Sequence, residues 1–145
     1  MKNALKLTAL FLLVTLSFTS CNKSDDNDGS TTSGNIVGKW NFSKEGGIVN
    51  GQEVLGDYQH QTGCAKDNVE FKSNGSVVST EYSTNCAAST FTASYAKSGD
   101  TVTVTTSGDS TVLTILQLDS TTLKVKYTDT FEGTTTTYVE LYTKG

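Results

Sequence analysis

From Ile36 onward the chain alternates apolar and polar residues with a period of two, broken at short intervals by glycine-bearing turns. This alternation constrains the fold more than any other feature, because period two places every second side chain on one face of a strand. Trp40 and Phe42 alternate with Asn41 and Ser43, and Val69 and Phe71 precede Ser73-Asn74-Gly75, a hairpin signal. The pattern continues through Phe91-Ala93-Tyr95, Val102-Val104, the run from Thr111 to Leu118, Leu123-Val125-Tyr127 and Val139-Leu141. Turns are expected at Gly46-Gly47, Asn50-Gly51, Ser98-Gly99, Ser107-Gly108-Asp109, Asp119-Ser120 and Glu132-Gly133. No apolar stripe of helical period runs for about ten residues, the length a helix needs. Short strands with turns roughly every 8–12 residues predict an all-β domain, an antiparallel meander closed into a barrel or folded as a sandwich.

The 145 residues suffice for one such domain. Serine and threonine fill much of the polar half of the alternation, which suits strands with one wet face. All 11 basic residues are lysines, against 15 acids, for a net charge of −4. A mildly acidic chain without arginine has no electrostatic footprint for nucleic acid, so that partner class is set aside.

Residues 1–20 begin with Lys2 and Lys6 and continue as LTALFLLVTLSF, too short to span a bilayer but right for a secretory signal peptide. The leader ends Phe18-Thr19-Ser20-Cys21, small residues before a cysteine, and so resembles the bacterial lipobox. The resemblance implies cleavage between Ser20 and Cys21, acylation of Cys21, and a membrane as partner through several acyl chains, since one chain anchors only marginally. Phe18 departs from the aliphatic residue usual at its position.

Residues 21–35 follow as an acidic linker. An EF-hand register with Gly29 at the sixth position fails, because it puts Ser24 first and Asn35 where a bidentate glutamate belongs. With no apolar residue from Asn22 to Gly34, the segment reads as a flexible tether with a reach of roughly 20 Å. Lys23-Ser24-Asp25-Asp26 resembles the export signal that sends some Gram-negative outer-membrane lipoproteins to the cell surface.

Two cysteines remain for the domain of residues 36–145, in a compartment where disulfides persist. A two-residue Asn74-Gly75 loop sets Phe71 opposite Val78 and Cys64 opposite Asn85; a three-residue loop sets Cys64 opposite Cys86. Either register leaves both thiols at the base of one hairpin, so a Cys64–Cys86 disulfide is predicted, stabilising by about 3 kcal/mol. A metal pair or redox dithiol lacks partners, with no CxxC and a single histidine, His60.

Gly38-Lys39-Trp40, within IVGKWNF, is similar to the first strand of lipocalins, where GxW opens the barrel. The run from Cys64 to Phe71, the following Asn74-Gly75 and the segment TILQLDSTTLKVKY resemble the lipocalin-like domain of small bacterial lipoproteins, over residues 36–143. The resemblance implies a small antiparallel up-and-down β-barrel, with a β-sandwich as the alternative, that takes a small, apolar ligand. Larger lipocalins carry an arginine late in the barrel that packs on the tryptophan; here only Lys144 is available to replace it, and their following helix has no counterpart.

His60 has no carboxylate partner at a telling spacing, the acids are scattered through turns, and no glycine loop cradles phosphate. The chain is therefore expected not to be an enzyme and to need no cofactor or metal. The leading expectation is a membrane-anchored lipoprotein with a lipocalin-like binding domain for a small hydrophobic ligand. Trp40, Phe42, Phe71, Tyr82, Tyr95 and Tyr127 are the candidate interior aromatics, though packing a core needs large side chains as well. The alternative is a surface or structural lipoprotein with a filled barrel that contacts a protein or glycan.

Overall fold

The computed structural model describes residues 34–145. The leader, the Ser20–Cys21 cleavage site, the acylation site Cys21 and the Lys23–Asp26 signal lie outside the described residues. Nine strands follow: β1 (Gly38–Val49), β2 (Gln52–Asp57), β3 (Asn68–Phe71), β4 (Ser76–Tyr82), β5 (Ala88–Ser98), β6 (Thr101–Thr105), β7 (Ser110–Leu118), β8 (Thr122–Phe131) and β9 (Thr134–Lys144). All pairings are antiparallel, and β1 pairs with β9, so the sheet closes on itself. The ring runs β1-β3-β4-β5-β6-β7-β8-β9, an eight-stranded barrel that leaves no continuous edge. The sandwich alternative is thereby excluded.

The first half of β1 pairs with β3 and the second half with β2, on the same edge. Gly46-Gly47, expected as a turn, lies inside β1; the turn falls at Asn50-Gly51, where both residues take positive φ. The glycines are needed for close approach instead. A Cβ on Gly46 would lie 1.9 Å from Val54 O, and one on Gly47 would lie 2.5 Å from Thr137 O. The β1–β2 hairpin thus bends back over the outside of the barrel, and Lys124 on β8 ties it down through a 2.7 Å ion pair with Glu53.

The register of the β3–β4 hairpin also differs from both expectations: Phe71 faces Val77. Lys72 N donates to Ser76 O and Gly75 N to Lys72 O, with Gly75 at φ 82°. This is a three-residue loop, Ser73-Asn74-Gly75, with glycine in the left-handed position that closes such loops. Cys64 and Cys86 consequently sit outside the ladder, in the loops before β3 and after β4. They are nonetheless bonded to each other, with Cα atoms 5.2 Å apart.

One end of the barrel is closed. Trp40 and Leu118 are fully buried there, with Ile36 beneath them, and Trp40 Nε1 donates to Ile36 O at 2.7 Å. Lys144 Nζ stands 4.1 Å from the centre of the Trp40 ring and donates to Val37 O, so the lysine takes the place expected of the late arginine. The described chain enters and leaves at this floor: Gly34 N donates to Leu118 O, and Gly145 N to Lys39 O.

Candidate functional site

Above the floor the alternation leaves a space. Inward residues of β1, β3, β4, β5, β6, β7, β8 and β9 enclose a cavity of about 180 Å³. Its wall includes Phe42, Phe71, Val104, Leu113, Val125 and Tyr142, with Ser79 and the Tyr142 hydroxyl as its only polar side-chain groups. Phe91 also lines it and is 59% exposed, so the cavity reaches solvent at that side. An apolar cavity of about 150 Å³ is enough to hold a benzene-sized molecule, whereas drug-sized ligands occupy roughly 300–1,000 Å³.

Toward the open end the wall changes chemistry. A recess of about 450 Å³ is lined by Glu45, Gly46, Gly47, Ile48, Val49, Tyr127, Thr136, Thr137, Tyr138 and Glu140. Tyr127 and Tyr138 face each other across β8 and β9 and stack with ring centres 5.3 Å apart. Glu140 accepts hydrogen bonds from the Tyr127 hydroxyl, at 3.1 Å, and from the Tyr142 hydroxyl. Burial, then the Glu140 charge, pushes the ionisation of both phenols well above the ordinary tyrosine range.

A polar cluster beside the cavity seals the gap between β2 and β3. Tyr58 stacks on Phe42 with centroids 4.7 Å apart and donates from its hydroxyl to Asp67 Oδ2. Asp67 is 5% exposed; its other oxygen accepts from Tyr82 N, and its backbone N donates to His60 Nδ1. With Nδ1 accepting, the proton of a neutral His60 resides on Nε2, which donates to Phe42 O at 2.8 Å. His60 and Asp67 are thus brought together, yet both His60 nitrogens are spent on backbone groups and the Asp67 oxygens on Tyr82 N and the Tyr58 hydroxyl. The cluster fixes the loop before β3.

These features meet a family pattern. The lipocalin-like domain family matches residues 36–125. The chain belongs to that family. Among solved structures, the lipocalin-like barrel is similar to an uncharacterised protein from Bacteroides eggerthii, at 12% identity and a TM-score of 0.55 over 77% of this chain and 100% of the other. It is equally similar to a lipocalin-like protein from Bacteroides uniformis, with 13% identity, a TM-score of 0.55 and coverage of 76% and 98%. Bovine odorant-binding protein in complex with its natural ligand matches at 19% identity and a TM-score of 0.45, covering 76% of this chain and 71% of its own. No curated protein matches the chain significantly.

Within the lipocalin-like barrel the six candidate aromatics divide by position. Phe42 and Phe71 line the cavity, Trp40 is buried at the closed end of the barrel, and Tyr127 lines the recess toward the open end. Tyr95 lies in the inward register but packs its ring edge-on against Phe71, 5.0 Å away, and donates to Lys72 O. Tyr82 is not interior. It follows Thr80 on the face of β4 opposite Val77 and Ser79, because no bulge interrupts the alternation there.

Sequence reading missed Tyr142 and Glu140. On β9 it favoured Val139 and Leu141, which face outward; Val139 is buried by the β1–β2 hairpin folded over it. A charged residue between two aliphatic ones reads as the solvent side of a strand. The signal available was Tyr138-x-Glu140-x-Tyr142, itself an alternating set.

Proposed function

We propose that the protein is a membrane-tethered binding module whose barrel holds one small ligand by its apolar part. The observation that carries this reading is the largely apolar cavity of about 180 Å³ between Phe42 and Val125. Burial of hydrocarbon against such a wall contributes roughly 25 cal/mol per Å². Octanol titrated into the chain from Asn22 onward, followed by calorimetry, tests the reading. Saturable one-to-one binding is expected, abolished when Ala93→Phe fills the cavity; undiminished binding in that variant contradicts it.

The tether is the second half of the proposal. Cleavage before Cys21 and acylation of its thiol and amine would fix the domain to an outer membrane, and Lys23-Ser24-Asp25-Asp26 would carry it to the cell surface. Gly34 lies at the closed floor, so the linker would join the domain at the end opposite its opening. Cys21→Ser is expected to leave an unacylated chain in metabolic labelling with a radioactive fatty acid; continued label contradicts the site. Replacing Asp25 and Asp26 by alanine should reduce cleavage of the domain by protease added to intact cells.

A surface role with a protein or glycan partner is the second reading. It is favoured by Val49, Val54 and Phe131, which are 56%, 57% and 74% exposed on the hairpins of the open end.

A further inference from the structure

The neck of the barrel carries a charge that nothing among the described residues neutralises. Glu140 projects inward from β9 with Tyr138 and Tyr142 on either side in the same register. The tyrosine hydroxyls donate to both of its oxygens but bring no positive charge. The lysines of the neighbouring strands are directed elsewhere. Lys44 pairs with Asp57, Lys124 with Glu53, and Lys144 lies over Trp40 at the floor. Lys126 faces outward beside Val139. Directly across the β1–β9 ladder stands Glu45, a second carboxylate. A negative charge beside an apolar interior is costly unless an opposite charge meets it.

The surroundings specify what could meet it. The recess of about 450 Å³ presents the stacked Tyr127 and Tyr138 rings next to Glu140 and Glu45. A carboxylate with aromatic rings beside it and no cation of the protein's own among the described residues is the chemistry that takes an ammonium group. The apolar cavity adjoins this recess at the Tyr142–Glu140 hydrogen bond, since Tyr142 lines one and Glu140 the other. A ligand occupying both must have a hydrocarbon end and a charged end. A fatty acid would put its carboxylate against two others, which Coulomb repulsion in a partly desolvated neck opposes.

We infer that the ligand is an amphipathic amine, with its hydrocarbon part between Phe42 and Val125 and its ammonium at Glu140 beside Tyr127 and Tyr138. This rests on the reading of the barrel as a ligand holder, which accounts for the apolar half alone. Octylamine, octanol and octanoate share one hydrocarbon length and differ only at the head, so calorimetric titration of each into the chain from Asn22 to Gly145 separates the two claims. Octylamine should bind about tenfold tighter than octanol, the scale of one desolvated cation contact, and octanoate more weakly than octanol. Glu140→Gln should bring the amine-to-alcohol ratio to about one, and Glu45→Gln, at the exposed end of the recess, should lower it by a smaller factor. Octanol binding without preference for the amine, or a preference for octanoate, overturns the amine assignment and leaves the ligand-holding barrel standing. Failure of all three to bind overturns both.

Discussion

Cys86 takes a left-handed backbone conformation, φ 59°, that glycine occupies at the equivalent place in the preceding hairpin. The two turns share one hydrogen-bond pattern: Gly75 N donates to Lys72 O and Cys86 N to Ser83 O, and in each the next residue closes the loop. A side chain in that region costs roughly 1 kcal/mol that glycine avoids, and the bond to Cys64 explains why a cysteine is there. Replacing the pair as Cys64→Ser with Cys86→Ser should destabilise the domain by about 2–5 kcal/mol. Combining Cys64→Ser with Cys86→Gly should recover roughly 1 kcal/mol of that loss, because the turn then has the residue its backbone prefers. Urea unfolding of the two variants checks the difference, and equal midpoints would contradict it. The pairing of the cysteines was legible from their common distance to Asn74-Gly75. The register was not, since one dipeptide serves loops of two and three residues.

At the level of strands, the alternation identified most of the barrel wall and failed where glycine did something other than turn. β2, with the sequence QEVLGD, has too few apolar residues to signal a strand, and its partner segment carries Gly46-Gly47. Those glycines let the hairpin fold onto the outer face, where it buries Val139 completely. Gly46→Ala should therefore destabilise the protein by about 1–3 kcal/mol, since the added carbon meets backbone that must move. Lys124→Ala, which removes only a partly exposed ion pair, should cost less than about 1 kcal/mol. Denaturant midpoints of the two variants decide between a hairpin held by close packing and one held by charge. A larger loss for Lys124→Ala would contradict the packing explanation. The same fold-back explains why β9 misled: its aliphatic residues are buried from outside, leaving Tyr138, Glu140 and Tyr142 to face the interior.

For the whole molecule, the closed ring of strands was foreshadowed by the even spacing of turns and by the GxW opening at Gly38-Lys39-Trp40. Whether the ring is filled or hollow was not, because a cavity is the volume that side chains from eight strands fail to occupy, and no single strand encodes it. Phe42 and Phe71 would have served a solid core equally well. What leaves space is the small size of Ser79 and Ala93 on the neighbouring β4 and β5 walls, a property of register and not of pattern. Trp40 is buried at the floor with Lys144 over its ring, and the largely apolar cavity lies between that floor and the more polar open end. The most direct test is therefore where a ligand goes. In a methyl-labelled sample titrated with octanol, the resonances of Val69, Val77, Val104, Leu113, Leu123 and Val125 should shift together and saturate, while those of the exposed Val49 and Val54 stay in place. Shifts confined to Val49 and Val54, with the interior methyls unmoved, would contradict a ligand held inside the barrel.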